Sequence, residues 1–370
     1  MVWNAERQNS RGREMTCAVI FGGAGFIGSF FARTLAESGR FKTIYLADHL
    51  IDKQDPSLFR ARFIAETPGA VGISVDVRQP IIFLPTEPVG LIANFAAVHR
   101  EPGHEPEEYF ETNLKGAENI CAWAEQMQCR DLIFTSSISP YGVSETVKDE
   151  STLPVPITPY GGSKLVAEKI HLAWQAADRE ARRLLIVRPG VVFGPGEGGN
   201  VSRLIKAVLG GYFVYTGNKN TRKAGIYVKE LCAAIWWMYN RAETRCGGVE
   251  LFNGSMNPGP SISEYVSAVC EVAAVKRRVP NMPYALLMTI AYLADVVARP
   301  LNIQHPFSPV RVRKLVRSNN ILPKVLTESG YRYKYTLQSA FADWRNTCPS
   351  EWGLDLPGVA GAVKAPGTRG

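Results

Sequence analysis

The chain has 370 residues, of which 46% are hydrophobic, and this is enough apolar material for one large or two smaller domains with buried cores. Its formal net charge of +8 comes from 42 basic and 34 acidic residues spread along the chain, with no recognised nucleic-acid-binding motif. We therefore exclude a disordered or fibrous chain and expect an anionic small molecule, not a nucleic acid, as the partner.

The two ends and the cysteines also limit the possibilities. Residues 1–14 are polar and lack an apolar signal core, which predicts a disordered leader, and residues 348–370 predict a mobile tail rich in Gly, Pro and Ala. The seven cysteines form no C-x-x-C pair, as is typical of reduced thiols in a cytoplasmic protein.

One apolar segment, residues 283–298, is about four residues short of a bilayer span and carries Asp295. It predicts a buried or interface helix, with peripheral membrane contact as the alternative, and no integral membrane span.

Strand-like and helix-like segments alternate from Cys17 onwards. The predicted strands begin at Cys17 and continue over residues 43–48, 70–77, 89–97, 131–136 and 184–188. Long helices are predicted over residues 106–127 and 160–181. The third and fourth strands are nearly continuous apolar runs, which is typical of strands covered on both faces. The pattern predicts an α/β fold with a Rossmann-like, doubly wound parallel sheet.

The rhythm changes near Gly196 to helices with short strands between them. We predict a dinucleotide-binding domain over residues 15–195 and a smaller, mostly helical substrate domain over residues 196–347. Residues 225–253 have the option of folding back onto the sheet.

Four glycines lie within the seven residues GGAGFIG at positions 22–28, at the junction of the first strand and a helix. Gly22, Gly25 and Gly28 fit the spacing G-x-x-G-x-x-G, and Gly23, Gly25 and Gly28 fit G-x-G-x-x-G. Glycines let the backbone approach a pyrophosphate at the positive end of the helix that begins near Phe26. Twenty residues later Asp48 ends the second strand, where a carboxylate accepts hydrogen bonds from an adenosine ribose. The pattern indicates a dinucleotide site.

Tyr160 and Lys164 are four residues apart at the start of a predicted helix, so they lie on one face about 5–6 Å apart. An ammonium beside a phenol favours the phenolate, and this brings a group with a reference pKa of about 10 towards use as a base. Ser136 and Ser137 end the preceding strand, where a hydroxyl can hydrogen-bond a reacting alcohol or carbonyl, although serines there also serve as turn caps.

Taken together, these motifs resemble the extended short-chain dehydrogenases/reductases of the NAD-dependent epimerase/dehydratase type. The resemblance runs from Cys17 to Asp343 and includes NFAA at 94–97, NLKGAENI at 113–120, TSSISPYG at 135–142, PYGGSK at 159–164 and RPGVVFGPG at 188–196.

The resemblance implies roles for particular residues. Tyr160 would be the base, Lys164 would lower its pKa and hold the nicotinamide ribose, and Ser137 would hydrogen-bond the sugar oxygen. The residues implied to bind NAD are Gly22, Gly25, Phe26, Ile27, Gly28, Asp48, Asp76, Val77, Ala96, Ala97, Asn113, Tyr160 and Lys164. Those expected at the substrate are His99, Ser137, Arg222 and Lys223, and no metal site is expected. We predict NAD and not NADP because Asp48 would repel a 2′-phosphate and no arginine follows it at 49 or 50.

Two departures from the family pattern keep alternatives open. Sugar dehydratases usually have Asp-Glu where this chain has Ser136-Ser137, which disfavours dehydration. Many epimerases have Asn at the position of Val191, which weakens the assignment of a nucleotide sugar and brings in hydroxysteroid-dehydrogenase-like enzymes. The first hypothesis is an NAD-dependent epimerase of a nucleotide-diphosphate sugar that forms a homodimer. The alternatives are a one-way NAD(P)-dependent dehydrogenase or reductase, and a cofactor-binding protein without turnover.

Overall fold

The computed structural model describes residues 16–53, 55–56, 58–101, 103–142, 144–241, 247–298 and 317–353. The predicted leader and residues 354–370 of the predicted tail lie outside these residues. The first part of that tail is described, and Cys348 and Trp352 are buried there.

Strands and helices alternate along most of the described chain up to residue 189. The strands are β1 Cys17–Phe21, β2 Ile44–Ala47, β3 Ala70–Ile73, β4 Val89–Asn94, β5 Asp131–Thr135, β6 Ser144–Lys148, β7 Arg183–Pro189, β8 Val191–Phe193, β9 Tyr215–Thr216, β10 Gly225–Tyr227, β11 Gly248–Gly254, β12 Asn281–Met282 and β13 Asn319–Ile321. The α-helices are α1 Phe26–Ser38, α2 Phe59–Ala65, α3 Pro106–Gln126, α4 Pro159–Ala176, α5 Asn200–Leu209, α6 Val228–Tyr239, α7 Ile262–Val272, α8 Tyr284–Ala298, α9 Lys324–Glu328 and α10 Leu337–Thr347. The alternation is interrupted where β4 follows β3, and β6 follows β5, without an α-helix between them.

Seven strands form one parallel sheet in the order β11-β7-β5-β4-β1-β2-β3. The order reverses between β1 and β4, and ligands of doubly wound sheets bind beyond the carboxyl ends of the strands at such a point. The predicted Rossmann-like fold is confirmed.

A hydrophobic core fills the space between the sheet and helices α3 and α4, which pack on each other. Its largest members are Trp123, on α3, and Trp174, on α4. On other helices, Phe31 of α1 and Ile235 of α6 are fully buried, and these two helices also pack together. The helices therefore pack on the sheet and on one another through buried apolar side chains.

Two predictions for secondary structure are wrong. The third strand ends at Ile73 instead of residue 77, and it is not covered on both faces, because β3 is the edge strand and Val71 is exposed. Helix α4 ends at Ala176 instead of residue 181, because the Asp178 carboxylate accepts a hydrogen bond from the Ala181 N–H and competes with the helix.

The chain divides into two compact units. The first contains the residues up to Val192 together with Thr221–Pro260 and Arg317–Lys334. Strand β11 belongs to it and pairs with β7 from Gly248 to Gly254, at the end of the segment 225–253 for which a return to the sheet was left open. The predicted domain limits themselves stay a prediction.

The second unit contains Phe193–Asn220, the described part of Ser261–Val316, and the chain from Tyr335. Its centre is an aromatic cluster of Phe193, Tyr265, Phe341, Trp344 and Trp352. Helices α5, α7 and α10 pack around this cluster.

The described cysteines have free thiols, and the cytoplasmic location predicted from them stays a prediction. Among the described residues, no helix is long and apolar enough to cross a bilayer.

Candidate active site

The glycine loop between β1 and α1 lies at the point where the strand order reverses. Gly22 has a φ of +76°, and a Cβ there would come within 2.6 Å of the Ala96 backbone nitrogen. A Cβ on Gly23 would lie 2.7 Å from the Leu46 Cα, so neither position has room for a side chain. The loop packs directly against the ends of β2 and β4, which leaves the N–H groups at the start of α1 for an anionic ligand.

Asp48 follows β2 and is buried beside this loop. Its carboxylate accepts hydrogen bonds from the Ala24 N–H at 3.1 Å and from the Leu50 N–H at 2.9 Å. One carboxylate thus fixes the glycine loop to the end of the neighbouring strand. A dinucleotide fits these residues, because phosphate oxygens have access to a backbone without side chains and a ribose has a carboxylate next to it.

Asp76 and Val77 lie in the loop after β3, and not in the strand as predicted. The guanidinium of Arg78 binds the Asp76 carboxylate at 2.6 to 3.0 Å, and these hydrogen bonds hold the pKa of Asp76 below its usual value. Val77 is buried, and its carbonyl accepts a hydrogen bond from Asn119. Their predicted place beside an adenine stays a prediction.

Asn113, on α3, connects two predicted parts of the site. Its side-chain oxygen accepts the Val98 N–H at 2.9 Å, and its amide donates to the Val98 carbonyl at 3.1 Å. The same amide donates to the Ser163 hydroxyl at 2.9 Å. Asn113 therefore links the loop after β4, which contains Ala96 and Ala97, to the first turns of α4.

The turn after Ser137 packs against the start of α4, which carries Tyr160. The Ser137 hydroxyl donates to the Ser139 hydroxyl at 3.1 Å and accepts the Ser139 N–H at 3.1 Å. Burial raises the pKa of the Tyr160 phenol to about 12, whereas the Ser137 hydroxyl acts to lower it. The ring of Tyr109 lies 5.9 Å from the ring of Tyr160. Thr158 caps the helix by accepting the Gly161 N–H, so the first turn that carries Tyr160 is fixed.

Lys164 is almost completely buried, with 2% of its surface exposed. Burial lowers its pKa to about 7, and the negative charge of Glu168 opposes that change. The ammonium lies 4.5 Å from the centre of the Phe134 ring. Without a ligand, the Lys164 amine therefore gains or loses its proton near neutral pH, and the Tyr160 phenol stays protonated.

A buried charged network next to this lysine is missing from the sequence-based prediction. Glu168 binds Arg188 through two hydrogen bonds, of 2.8 and 2.6 Å, and also accepts the Ser136 hydroxyl at 2.5 Å. The available signal was Glu168 at four residues after Lys164 on the same helix face. Ser136 is thus engaged with Glu168, while the hydroxyl of its neighbour Ser137 donates to Ser139.

The NAD dependent epimerase/dehydratase family model matches residues 18–249 of this chain. The chain belongs to that family. The recognition from sequence is therefore confirmed, the chain is an enzyme of this family, and NAD is confirmed as the cofactor.

Two curated relatives show what similar sequences do. The chain is 30% identical over 244 residues to the N-acetyl-alpha-D-glucosaminyl-diphospho-ditrans,octacis-undecaprenol 4-epimerase of Escherichia coli O157:H7, covering 65% of this chain and 72% of that protein. It is 29% identical over 197 residues to UDP-glucose 4-epimerase 3 of Oryza sativa subsp. japonica, covering 50% of this chain and 51% of that one.

Among solved structures, UDP-glucuronic acid 4-epimerase from Bacillus cereus in complex with NAD superposes with a TM-score of 0.69. The superposition covers 91% of this chain and all of that one at 16% identity. At this identity the likeness concerns the fold.

The predicted substrate residues of this family member differ in their surroundings. His99 is exposed in the loop after β4. Arg222 donates to the Gly259 carbonyl at 2.6 Å and Lys223 to the Arg317 carbonyl at 2.5 Å, so both cations are directed at loop carbonyls of the first unit. Burial lowers the pKa of Lys223 to about 8. Their roles at a substrate stay predictions, as does that of Ser137.

Proposed function

We propose that this protein is a 4-epimerase of a hexose carried on a diphosphate, and that Tyr160 accepts the proton of the reacting hydroxyl. The observation that carries the proposal is the packing of the turn after Ser137 against the first turn of α4, which carries Tyr160, beyond the carboxyl end of β5. A Cβ on Gly161, next to Tyr160, would lie 2.7 Å from the Ser139 carbonyl oxygen. Two hydroxyl groups on these two elements would share one substrate oxygen, one as a base and the other as a hydrogen-bond donor.

The charge of the site must change before Tyr160 acts as a base, because burial raises the pKa of its phenol. Positive charge next to the phenol favours the phenolate, and Lys164 supplies it in its protonated form. Bound NAD supplies the acceptor and the donor of the hydride, together with a positive nicotinamide ring. Gly22, Gly25 and Asp48 would hold its diphosphate and ribose.

Epimerisation is favoured over dehydration by the residues after β5. Elimination of water requires an acid and a base at these positions, and here they are Ser136 and Ser137. Ser136 is bound to Glu168, whose carboxylate is in turn paired with Arg188. Neither residue supplies a carboxylic acid to a substrate.

The carrier of the sugar is proposed more broadly than a nucleotide. The E. coli relative is named for a polyprenyl-diphosphate sugar, and the rice and B. cereus proteins are named for nucleotide sugars. The diphosphate is common to all three. Val191, with its N–H donated to the Ala224 carbonyl, replaces the asparagine that many nucleotide-sugar epimerases have. We therefore propose a sugar diphosphate and leave the carrier to the experiment.

The test is incubation of the full chain, without added NAD, with UDP-glucose, UDP-N-acetylglucosamine, UDP-glucuronic acid and a short-chain polyprenyl-diphosphate N-acetylglucosamine. NMR of the sugar protons reads the configuration at C4, and absorbance at about 340 nm reads free NADH. We expect a 4-epimer from at least one donor and no accumulating NADH, since the hydride returns to the sugar within each turnover.

The outcomes separate the hypotheses. Product from the polyprenyl donor alone would assign a lipid carrier, and product from a UDP sugar would assign a nucleotide. Stoichiometric NADH release, or a strict need for added reduced cofactor with a ketone, would overturn epimerisation in favour of a dehydrogenase or reductase. Tyr160→Phe provides the inactive control.

We also propose a homodimer formed through helices α3 and α4, which expose Phe110 and Val166, respectively. Light scattering of the purified chain tests this, and a monomeric mass at micromolar concentration would contradict it.

A further inference from the structure

Helix α8, Tyr284–Ala298, has an unusual surface for a helix outside a protein core. Its described side chains include three exposed aliphatic residues at positions i, i+4 and i+7, which place them on one face. They are Leu286, Ile290 and Leu293, with 51%, 41% and 62% of their surfaces exposed. The described part of α8 is thus not buried within the chain, which leaves the predicted interface helix and its alternative, peripheral membrane contact.

Only a narrow seam of this part of the helix is buried. Leu287 and Ala291 pack against Met282 and Met288 in a small cluster of their own. The remaining described positions face solvent, and they include Tyr284 and Tyr292, whose rings combine an apolar body with a polar tip. A contiguous apolar surface of this kind marks an interaction site.

The surroundings of this face are cationic. Lys276, Arg277 and Arg278 precede the helix and are exposed, and no Asp or Glu occurs between Glu271 and Asp295. Arg277 donates to the Leu209 carbonyl at 2.5 Å, which connects the cationic stretch to the end of α5.

The loop after α5 extends the same surface. Tyr212 is 69% exposed, and Arg277 lies close to Gly211. Strand β12, directly before α8, pairs with β9 at Tyr215, so the start of α8 is fixed to this loop. Exposed aliphatic residues, tyrosines and cations are thereby held together within the second unit.

We infer that this surface, composed of Lys276–Arg278, α8 and Tyr212, docks onto an anionic lipid bilayer. Aliphatic side chains enter the boundary of the acyl chains, tyrosines lie at the level of the headgroups, and lysine and arginine pair with anionic headgroups. A second copy of the chain fits less well, because a twofold contact would bring the same cationic stretch of both copies together. The inference does not depend on the proposed reaction.

The test is co-sedimentation of the purified full chain with vesicles of phosphatidylcholine alone and of phosphatidylcholine with about one-third phosphatidylglycerol. We expect binding to the anionic vesicles and at least a fivefold weaker partition at 0.5 M salt, since screening removes the attraction of the cations.

Two double variants separate the apolar and the charged contributions. Leu286→Gln with Leu293→Gln, and Lys276→Glu with Arg278→Glu, should each lower partition into anionic vesicles by about tenfold or more. Matched controls are Ile82→Gln with Leu153→Gln, which removes two aliphatic residues elsewhere that are even more exposed, at 89% and 79%, and Arg130→Glu with Arg179→Glu, which makes the same change in net charge. The controls should bind as the parent chain does.

The proposal is overturned if the parent chain does not bind anionic vesicles, or if the α8 variants and controls bind equally. Light scattering addresses the competing occupant. If the leucine variants abolish self-association and the parent chain does not co-sediment with vesicles, then the surface is an interface between copies, and the membrane proposal is wrong. Circular dichroism and NAD binding establish that each variant is folded.

Discussion

The Arg188 guanidinium donates two hydrogen bonds to the Glu168 carboxylate, and 5% or less of either side chain is exposed. Removing one partner of such a buried pair leaves an uncompensated charge without water, which costs about 3–5 kcal/mol. We therefore expect Arg188→Met to lower the free energy of unfolding by that amount in urea titrations. Lys115→Met, which removes the exposed pair with Glu118, should cost less than about 1 kcal/mol. Equal effects of the two variants would contradict this account.

Tyr160→Phe removes the proposed base and little volume. We expect turnover to fall by about 10²–10⁴-fold, which is typical of a lost general base, with thermal stability and NAD binding retained. Tyr109→Phe is the matched control, because it removes a neighbouring phenol that donates to the Arg100 carbonyl and keeps the ring. Steady-state kinetics check both variants. A loss below about tenfold for Tyr160→Phe would exclude it as the base.

Ser137→Ala should change the pH dependence of turnover. The Ser137 hydroxyl acts to lower the pKa of Tyr160, so its removal should raise that pKa further. A base works when deprotonated, and the acid limb of the kcat/KM profile should therefore move to higher pH. Ser137→Thr keeps the hydroxyl and should leave the limb near its original place. A limb that does not move in Ser137→Ala would separate Ser137 from Tyr160.

Asp48→Ala is expected to weaken NAD binding by about 10-fold to 100-fold, the worth of hydrogen bonds to a charged group. The discrimination against NADP should fall as well, because the carboxylate that repels a 2′-phosphate is gone. Asp52→Ala, an exposed carboxylate four residues later, is the control and should bind as the parent does. Isothermal calorimetry measures both cofactors. Tighter binding of NADP than NAD to the parent chain would refute the role of Asp48.

Gly22→Ala and Gly39→Ala compare two glycines with positive φ, of which only Gly22 also lacks space for a Cβ. Both residues have positive φ, at +76° and +63°, but a Cβ on Gly39 meets nothing within 4 Å. We expect Gly39→Ala to cost about 1–2 kcal/mol of stability and Gly22→Ala about 2–5 kcal/mol, since it also collides with the backbone at Ala96. Thermal denaturation with and without NAD measures the difference. A Gly22→Ala variant as stable as Gly39→Ala would refute the close packing of the loop.

The parallel sheet and the glycine loop could be predicted because they depend on local patterns. Apolar runs of strand length and glycines at fixed spacing can each be recognised within a short stretch of sequence. The Glu168–Arg188 pair could not be predicted, because nothing in the nineteen residues between them indicates that a helix and a strand will face each other there. The exposure of Val71 depends on strand order, which the pattern of β3 does not carry. The end of α4 was missed because the Asp178 side chain outcompetes helix propensity.

Strand β11 reaches the sheet only after the chain has left it for the second unit and returned. During synthesis, β7 therefore remains an open edge until residue 254 has emerged, with its backbone N–H and C=O groups available to any neighbouring strand. A fragment that ends at Val192 keeps the glycine loop and Tyr160, but one side of its β7 strand stays unpaired permanently. Such a fragment is prone to aggregate. Truncation from the C-terminal side is therefore expected to make the cofactor-binding half insoluble before it affects the residues of the glycine loop.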